Sequence, residues 1–385
     1  MFGIFSLGFI LFVAVPSCAD AVEPLLDPAT YFSYSYKEAR TKFLEATRIA
    51  DADLTSYKHP LTGLDGEALY MDVASLGNPD AKTVLVLGSG THGVEGFAGS
   101  AIQTGLLREG IGQLLSPTLR VAMIHGINPY GFSHLRRVNE DNVDINRNFV
   151  DHARPYPINK GYEDLAEVIA PRAISHWHNL LSRLSLAWYR VAHGQRALKV
   201  AISRGQYSHP DGLFFGGTAE AWSNRTLREA LHNHAKNARR VVFVDFHTGL
   251  GEYGEAEIIL NVGKKSSAYQ RALKWWGARV KSTVTGESVS EHIYGPLKLA
   301  VPEMLPVADE VTAVSLEFGT VPPMEVFWAM RAENWLQHYG GKAHPRAQEI
   351  KMRLLRVFYP HEEHWKRQVW EHGEDVVEQA LIRLQ

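Results

Sequence analysis

The sequence is poor in cysteine, because Cys18 is the only one in 385 residues. One thiol forms no intrachain disulfide and cannot build a thiolate cluster for zinc. An excess of one sign of charge is also lacking, since 40 basic and 42 acidic residues leave a net charge of −2. With the basic residues scattered along the chain, neither nucleic acid nor an anionic membrane surface is an expected partner.

Basic residues are absent from the start of the sequence, where none precedes Lys37. Residues 2–15 nevertheless form an apolar run, and residues 19–21, Ala-Asp-Ala, resemble a processing site. We therefore interpret residues 1–22 as a signal or leader segment. A cleaved signal implies export to the periplasm or the outside, and a retained one implies contact with a membrane. A misassigned start implies a cytoplasmic protein instead.

Internal repeats and low-complexity linkers are lacking as well. Hydrophobic residues make up 45% of the chain, which is enough for a large core. Strand and helix patterns alternate along the sequence, so we expect one α/β domain over residues 25–385.

Apolar runs and alternating patterns predict strands at residues 68–76, 83–87, 119–124, 240–246, 257–262 and 311–318. Helical spacing of apolar residues predicts helices at residues 33–50, 96–107, 161–206, 219–236, 267–280 and through much of 322–385. In the long segment at residues 161–206 this spacing is carried by Trp177, Leu180, Leu181, Leu184 and Trp188.

A glycine-rich loop joins the strand at residues 83–87 to the helix at residues 96–107, and it contains His92 and Glu95. Such a loop lies at the carboxyl edge of a sheet, where open α/β folds usually keep their sites. A buried carboxylate without a partner is unfavourable, and a zinc ion would pair with both side chains. We interpret His92 and Glu95 as two metal ligands.

Two other interpretations of this loop remain open. Residues 88–93 match the dinucleotide-binding pattern Gly-x-Gly-x-x-Gly between a strand and a helix. Glu95 argues against that pattern, because a carboxylate at the start of the helix opposes a pyrophosphate. No acid stands about 20 residues beyond the last glycine either. The other possibility is that His92 and Glu95 only cap the helix.

A catalytic zinc site needs three protein ligands and one open position. His247 directly follows the apolar strand at residues 240–246 and is the preferred third ligand, whereas His125, after another strand, is the alternative. The attacking water also needs a base, since the metal lowers its pKa to about 7 without removing the proton. Glu317, at the end of the strand at residues 311–318, is the candidate, and its surroundings should raise its pKa toward the working pH.

A charged, amide-rich segment at residues 136–149 separates the first two ligands from the third. Arginine offers a planar fork for a carboxylate and a permanent charge for a developing oxyanion. Asp144 is a candidate partner that holds a ligand histidine in one tautomer. A solvated charged loop is the alternative interpretation of this segment.

Taken in order, these motifs resemble the zinc carboxypeptidase family, and in particular a bacterial branch of that superfamily. The likeness extends from about Tyr31 to the end of the chain, and residues 245–248, Asp-Phe-His-Thr, are similar to the succinylglutamate desuccinylase and aspartoacylase branch. It is carried by His-x-x-Glu at residues 92–95, Asn-Pro-x-Gly-Phe at 128–132, Asp-x-Asn-Arg-Asn-Phe at 144–149, His247 and Glu317.

The resemblance implies a single α/β domain with a central mixed, mostly parallel sheet flanked by helices. It implies one Zn²⁺ ion held by His92, Glu95 and His247, with Glu317 as general base and acid. It also implies roles for further residues: Asn146 and Arg147 at the substrate carboxylate, Asp144 behind His92, Arg137 or its neighbour Arg136 at the oxyanion, and Tyr294 over the substrate.

The implied function is a zinc-dependent hydrolase that cleaves an amide bond next to a free carboxylate, with a peptide as substrate. An N-acyl amino acid deacylase is the alternative. A metal-binding protein without catalytic activity, or the dinucleotide-binding protein considered above, represents a different class of function.

Overall fold

The computed structural model describes residues 27–385, and the leader predicted at residues 1–22 lies outside them. Eight strands form one sheet: β1 (Asp53–Thr62), β2 (Ala68–Gly77), β3 (Thr83–Ser89), β4 (Leu119–His125), β5 (Arg240–Tyr253), β6 (Ala256–Leu260), β7 (Val280–Ser282) and β8 (Glu310–Gly319). Their order in the sheet is β1-β2-β4-β3-β5-β8-β6-β7. The four central strands, β4, β3, β5 and β8, run parallel, and β2 and β6 flank them in the antiparallel direction.

Helices cover both faces of this sheet. Val84 and Val86 of β3 belong to one hydrophobic core, and Leu85 and Leu87 belong to another, because successive side chains of a strand point to opposite faces. The α-helices of the described chain are α1 (Tyr36–Ile49), α2 (Gly96–Arg108), α3 (Pro129–Ser133), α4 (Lys160–Ile169), α5 (His176–His193), α6 (Gln195–Ser203), α7 (Trp222–Ala235), α8 (Ser267–Trp276), α9 (Leu297–Met304), α10 (Pro323–Trp335), α11 (Ala347–Phe358) and α12 (Glu363–Leu384).

The predicted α/β class with a mixed, mostly parallel sheet is confirmed. Each predicted strand is present, and β5 continues past its predicted end, so that His247 pairs with Glu317 of β8. Helix α1 begins after Ser35, whose hydroxyl accepts a hydrogen bond from the Glu38 backbone N–H at 3.2 Å. Parallel strands bring their carboxyl ends to one edge of the sheet, and the predicted site residues of β3, β5 and β8 meet there.

The helical segment predicted at residues 161–206 is divided into α4, α5 and α6. Pro171 follows α4, and Gly194 ends α5 with a φ of 89°, a backbone conformation that favours glycine. The helix predicted at residues 267–280 ends at Trp276 for the same reason, since Gly277 has a φ of 63°. Residues 280–282 then form β7 at the edge of the sheet.

Strand β1 was not predicted, because it shows no apolar alternation. Most of its side chains are exposed, and it contains Pro60, which has no backbone N–H to donate to a neighbouring strand. Both features suit an edge strand, and β1 pairs with β2 alone. Helix α9, which contains Pro302 near its end, was also missed.

The apolar residues at helical spacing in α5 face solvent and do not enter the core. Trp177 is 72% exposed and Trp188 is 68% exposed, whereas Ser182, Leu186 and Tyr189 form the buried side of the helix. No helix within residues 27–385 combines the length and hydropathy needed to cross a bilayer.

Gly105 provides the close contact between α2 and α12. A Cβ atom at this position would overlap the Trp370 ring and approach the ring of Tyr31. Both aromatic side chains are buried and contact each other, with centroids 5.1 Å apart. The glycine therefore makes room for an aromatic pair at the cost of helix propensity.

We expect the Gly105→Ala variant to lower the free energy of unfolding by about 1–3 kcal/mol, because overpacking outweighs the gain in helix propensity. Denaturant unfolding measures the change. Gly263→Ala is the matched control, since nothing lies within 4 Å of the Cβ that it would add. Equal stability of the two variants would contradict this packing argument.

Candidate metal centre

The loop with His92 and Glu95 is fixed by its backbone. Gly93 lies so close to α3 that a Cβ atom would overlap the backbone of Gly131. The Gly93 and Val94 backbone N–H groups donate to the carbonyl oxygens of Arg137 and Arg136, at 3.2 and 2.8 Å. The loop is thus tied to the charged segment that supplies other groups of the site.

His92, Glu95 and His247 converge at the carboxyl edge of the sheet. One ligand atom from each lies within 4.8 Å of the other two, and all three residues are buried. Glu95 Oε1 lies 3.0 Å from His92 Nδ1, and Glu95 Oε2 lies 3.1 Å from His247 Nδ1. Although Glu95 Oε1 is this near, the buried His92 Nδ1 makes no hydrogen bond of good geometry to it or to any other group within residues 27–385. A metal ion would satisfy this atom, so the donor set fits a metal site.

The capping interpretation of Glu95 is wrong. The Glu95 carboxylate makes no hydrogen bond that caps α2; Oε2 instead accepts one from the Thr248 backbone N–H at 3.1 Å. Its position at the start of α2 also places negative charge where a dinucleotide would need to bind its pyrophosphate.

In each histidine Nδ1 faces Glu95, and the other ring nitrogen, Nε2, is held by a carboxylate. His92 Nε2 lies 3.0 Å from Asp144 Oδ1, and His247 Nε2 lies 2.7 Å from Asp245 Oδ2. Both Nδ1 atoms are thereby directed to the centre, an arrangement typical of metal-binding histidines. Asp144 is one of the predicted residues. Asp245 was not predicted, although it stands as a lone acid within an apolar strand.

The pKa values of the cluster reflect competition between burial and neighbouring charge. Burial raises the pKa of Glu95, but His92 and Arg137 outweigh it and hold the pKa below its usual range. Burial lowers the pKa of His247, yet Asp245 and Glu95 raise it to about 10. A metal ion bound at His247 must therefore displace a proton.

His125, the alternative third ligand, lies outside this cluster. Its Nε2 is 2.9 Å from the Ser100 hydroxyl, and its ring stacks on Phe43 with centroids 4.5 Å apart. Burial lowers its pKa to about 4, so it is a neutral core histidine.

Glu317 lies beside the cluster, opposite His247 across the β5–β8 pair. Its Oε1 accepts a hydrogen bond from the Leu250 backbone N–H at 3.0 Å. Burial raises the pKa of Glu317 to about 7, and the negative charge of Glu95 contributes in the same direction. Such a carboxyl group can both accept and return a proton near neutral pH.

The structure separates the two candidate oxyanion arginines. Arg136 is buried in an ion pair with Glu333, with Nε 2.9 Å from Oε1, and it donates to Asn142 at 2.9 Å. Arg137 instead lies against Glu95 at 2.5 Å and lines the same cavity as the cluster. Of these two arginines, only Arg137 is placed to contact a molecule in that cavity.

Asn146 and Arg147 line the cavity as well. The Asn146 Oδ1 accepts a hydrogen bond from the Leu297 backbone N–H at 2.9 Å, which leaves its amide nitrogen as a donor. Arg147 donates to the Ser203 carbonyl at 2.6 Å, and its buried Nε makes no hydrogen bond within the described chain. The cavity has a volume of about 670 Å³.

Tyr294 is placed differently from the other predicted site residues. Its ring packs under the guanidinium of Arg204 at 5.6 Å, and its backbone N–H donates to the Arg204 carbonyl at 2.9 Å. In the part of the chain that is described, the neighbouring Ile293 lines the cavity and Tyr294 does not. Its role over the substrate stays a prediction.

Residues 32–372 match a protein family described as "Protein of unknown function (DUF2817)". The chain belongs to this family. No curated protein matches the sequence.

Several solved structures are similar to this DUF2817 chain. Carboxypeptidase A from Helicoverpa armigera has 12% identity and a TM-score of 0.47, with 86% of this chain and 75% of that one covered. A metallo-carboxypeptidase from Burkholderia cenocepacia has 12% identity and a TM-score of 0.42, with 85% and 69% covered. A succinylglutamate desuccinylase/aspartoacylase from Rhodobacter sphaeroides has 15% identity and a TM-score of 0.37, with 75% and 66% covered. Values this low do not identify a shared reaction, so the chemistry must be argued from this chain's own residues.

We expect Asp245→Asn to weaken Zn²⁺ binding about 10–100-fold, because His247 loses the carboxylate that orients its ring. Competition with a chromophoric chelator measures the affinity. Asp72→Asn is the matched control, since Asp72 is equally buried but pairs with Arg40 at 2.7 Å, outside the cluster. Unchanged zinc affinity in a folded Asp245→Asn variant would argue against a metal at His247.

Proposed function

We propose that this protein is a zinc-dependent hydrolase that cleaves an amide bond next to a free carboxylate. The observation that carries the proposal is the position of Glu317, whose pKa is near 7, beside the buried cluster of His92, Glu95 and His247 in one cavity. Two imidazole nitrogens and one carboxylate form a donor set that suits catalytic zinc.

A zinc ion held by these three residues would act as a Lewis acid and would lower the pKa of a water molecule. Glu317 takes the proton from the attacking water and later gives it to the leaving amine. Its burial supports this role, because a carboxyl group with an ordinary pKa would return a proton poorly at neutral pH. The hydrogen bond from the Leu250 backbone N–H fixes the orientation of its carboxylate.

Arg137 is proposed to stabilise the negative charge that develops on the carbonyl oxygen. Its guanidinium lies 5.7 and 5.8 Å from the ring centroids of Phe214 and Phe358, and its side chain is 16% exposed. A fixed positive charge is more effective there than in bulk solvent.

Arg147 and Asn146 are proposed to bind a free carboxylate of the substrate. Arg147 is buried, and burial lowers its pKa, although Asp144 opposes this effect. Its nearest carboxylate oxygen, Asp144 Oδ2, is 3.8 Å away, so the guanidinium retains capacity for a second anion. The Asn146 amide nitrogen is a further donor at the same place.

Substrates of two kinds present an amide next to a free carboxylate: peptides at their carboxyl terminus and N-acyl amino acids. The first is our main proposal. The Asp-Phe-His-Thr segment at residues 245–248 favours the second, through its similarity to the desuccinylase branch. A metal-binding protein without catalysis would have no need for Glu317 at this position.

We expect Glu317→Gln to retain one zinc ion and to lose hydrolysis by about 10²–10⁴-fold, the range for removal of a general acid and base. Zinc content is measured by elemental analysis, and hydrolysis is assayed on N-blocked dipeptides and on N-acyl amino acids. A chelator should abolish the wild-type activity, and added zinc should restore it.

Glu303→Gln, at an exposed position of α9, is the matched control and should behave like the wild type. Hydrolysis that survives Glu317→Gln would remove Glu317 as the base. A preparation without zinc, or one that hydrolyses neither substrate class with zinc bound, would contradict the proposed function.

A further inference from the structure

Lys298 is a buried cation in the wall of the cavity, and neither the sequence patterns nor the proposed mechanism uses it. It lies in the first turn of α9 and is 7% exposed. The preceding backbone N–H, that of Leu297, donates to Asn146 Oδ1 at 2.9 Å. Lys298 is thus placed next to the groups proposed to bind the substrate carboxylate.

The ammonium group of Lys298 has no carboxylate partner within the described chain. Its one hydrogen bond goes to the hydroxyl of Ser315, at 3.0 Å. The three acids whose charges act on this group form hydrogen bonds with other partners: Glu257 with Ser288 and Val289, Asp245 with His247 and Thr91, and Glu317 with Leu250. A buried cation with unused donors is unfavourable unless an anion reaches it.

The hydrogen bond to Ser315 places this cation beside β8, the strand that also carries Glu317. Ser315 and Glu317 are two residues apart on one strand, so their side chains point to the same face and their Cα atoms are about 7 Å apart. Ile259 and Ile293 line the cavity with them. Lys298, Ser315 and Glu317 thus line one cavity, and a side chain of a few carbon atoms that ends in a carboxylate spans a separation of this order.

Burial lowers the pKa of Lys298 to about 8, although Glu317 and Asp245 oppose this effect. The group therefore remains mostly charged at neutral pH.

We propose that Lys298 binds a second carboxylate of the substrate, so that this site prefers dicarboxylic substrates, in particular peptides that end in glutamate or aspartate. The inference rests on the proposed function and assigns its substrate class. Arg147 and Asn146 bind the terminal carboxylate, and Lys298 binds that of the side chain.

The direct test compares N-blocked dipeptides that end in glutamate or leucine. The wild type should prefer glutamate, and Lys298→Met should lower this ratio of kcat/KM about 10–100-fold without slowing the leucine substrate. Lys298→Arg should retain part of the preference. Lys366→Met is the control, because Lys366 is also buried but contacts Tyr34, away from the cavity. A wild-type preference for leucine, or an equal loss on both substrates in Lys298→Met, would show that the lysine only supports the fold.

A binding measurement separates this inference from the proposed function. Calorimetry should show that the zinc-loaded wild type binds free glutamate at least about tenfold more tightly than leucine, and that Lys298→Met removes the difference. If this difference in binding is found but no dipeptide is hydrolysed, the proposed reaction is wrong and the dicarboxylate site stands. Equal binding of the two amino acids would overturn the site.

A separate observation concerns the solvent side of α5. Six of its apolar side chains are exposed by 45–83%. At 3.6 residues per turn they cover an arc of about 100°, opposite the buried side of the helix. They are Trp177, Leu180, Leu181, Leu184, Trp188 and Val191. We call this set the α5 stripe.

The segment of the chain that contains the α5 stripe carries charge of one sign. No acidic residue occurs in residues 168–210, although the whole chain has a net charge of −2. Four exposed arginines fall in the same segment, Arg172, Arg183, Arg190 and Arg196, whereas Lys199 pairs with Glu291 at 3.4 Å. An apolar stripe with tryptophan near both ends and basic neighbours is typical of a helix that lies in a membrane interface.

We infer that the α5 stripe binds the surface of an anionic lipid bilayer. Charge complementarity favours this partner over a second copy of the chain, because two copies paired through α5 would bring the exposed arginines of this segment together, and the segment itself has no acid to pair with them. The overall charge of the chain predicts no binding to an anionic membrane. That prediction then applies only to the surface outside the α5 stripe.

Flotation of the full chain with vesicles tests the α5 stripe. Binding to phosphatidylglycerol/phosphatidylcholine vesicles should exceed binding to phosphatidylcholine alone, weaken with salt, and fall about tenfold or more in the double variant Trp177→Ser, Trp188→Ser. The control is Leu54→Ser, Leu61→Ser, two leucines of β1 that are each 46% exposed. Equal binding of both double variants would assign membrane contact elsewhere. If the wild type and the leucine variant are dimers in buffer without vesicles and the tryptophan variant is a monomer, the partner of the α5 stripe is a second copy of the chain. Either result overturns the inference.

Discussion

The buried carboxylate of Glu95 between two imidazole rings is the interaction on which the site depends. Its oxygens lie 3.0 and 3.1 Å from the Nδ1 atoms of His92 and His247. A charge so deeply buried must be compensated, and the protein supplies Arg137 and a place for a cation. Asp144 and Asp245 turn the two rings so that both Nδ1 atoms face this centre, where a cation would bind.

The parallel sheet explains why these groups meet. The loop after β3 supplies His92 and Glu95, β5 supplies His247, and β8 supplies Glu317. Because β5 and β8 are paired in register, His247 and Glu317 lie side by side. Two residues earlier on the same strands, Asp245 is paired with Ser315. Asp245 orients His247, and the Ser315 hydroxyl accepts a hydrogen bond from the Lys298 ammonium group. We thus propose that catalysis and substrate selection use two residue pairs, two positions apart, on β5 and β8.

Sequence patterns could predict the strands and the cluster of His92, Glu95 and His247, because each of these residues follows a strong apolar run or stands in an ordered motif. They could not choose between His125 and His247 by geometry, since both follow strands and only the packing shows that His125 stacks on Phe43. Lys298 was out of reach because α9 was not predicted and the contact with Ser315 is formed only in the folded chain. For the α5 stripe the helix itself was predicted, but its orientation was not. Helical spacing reveals an apolar side without showing whether that side faces the core or solvent.

X-ray absorption at the zinc edge of the purified full chain measures the central interaction most directly. We expect two imidazole nitrogens and carboxylate or water oxygens at about 2.0–2.2 Å from the metal, with one histidine signal lost in His247→Ala. A shell of oxygen atoms alone, or an unchanged shell in His247→Ala, would contradict a zinc ion held by His92, Glu95 and His247.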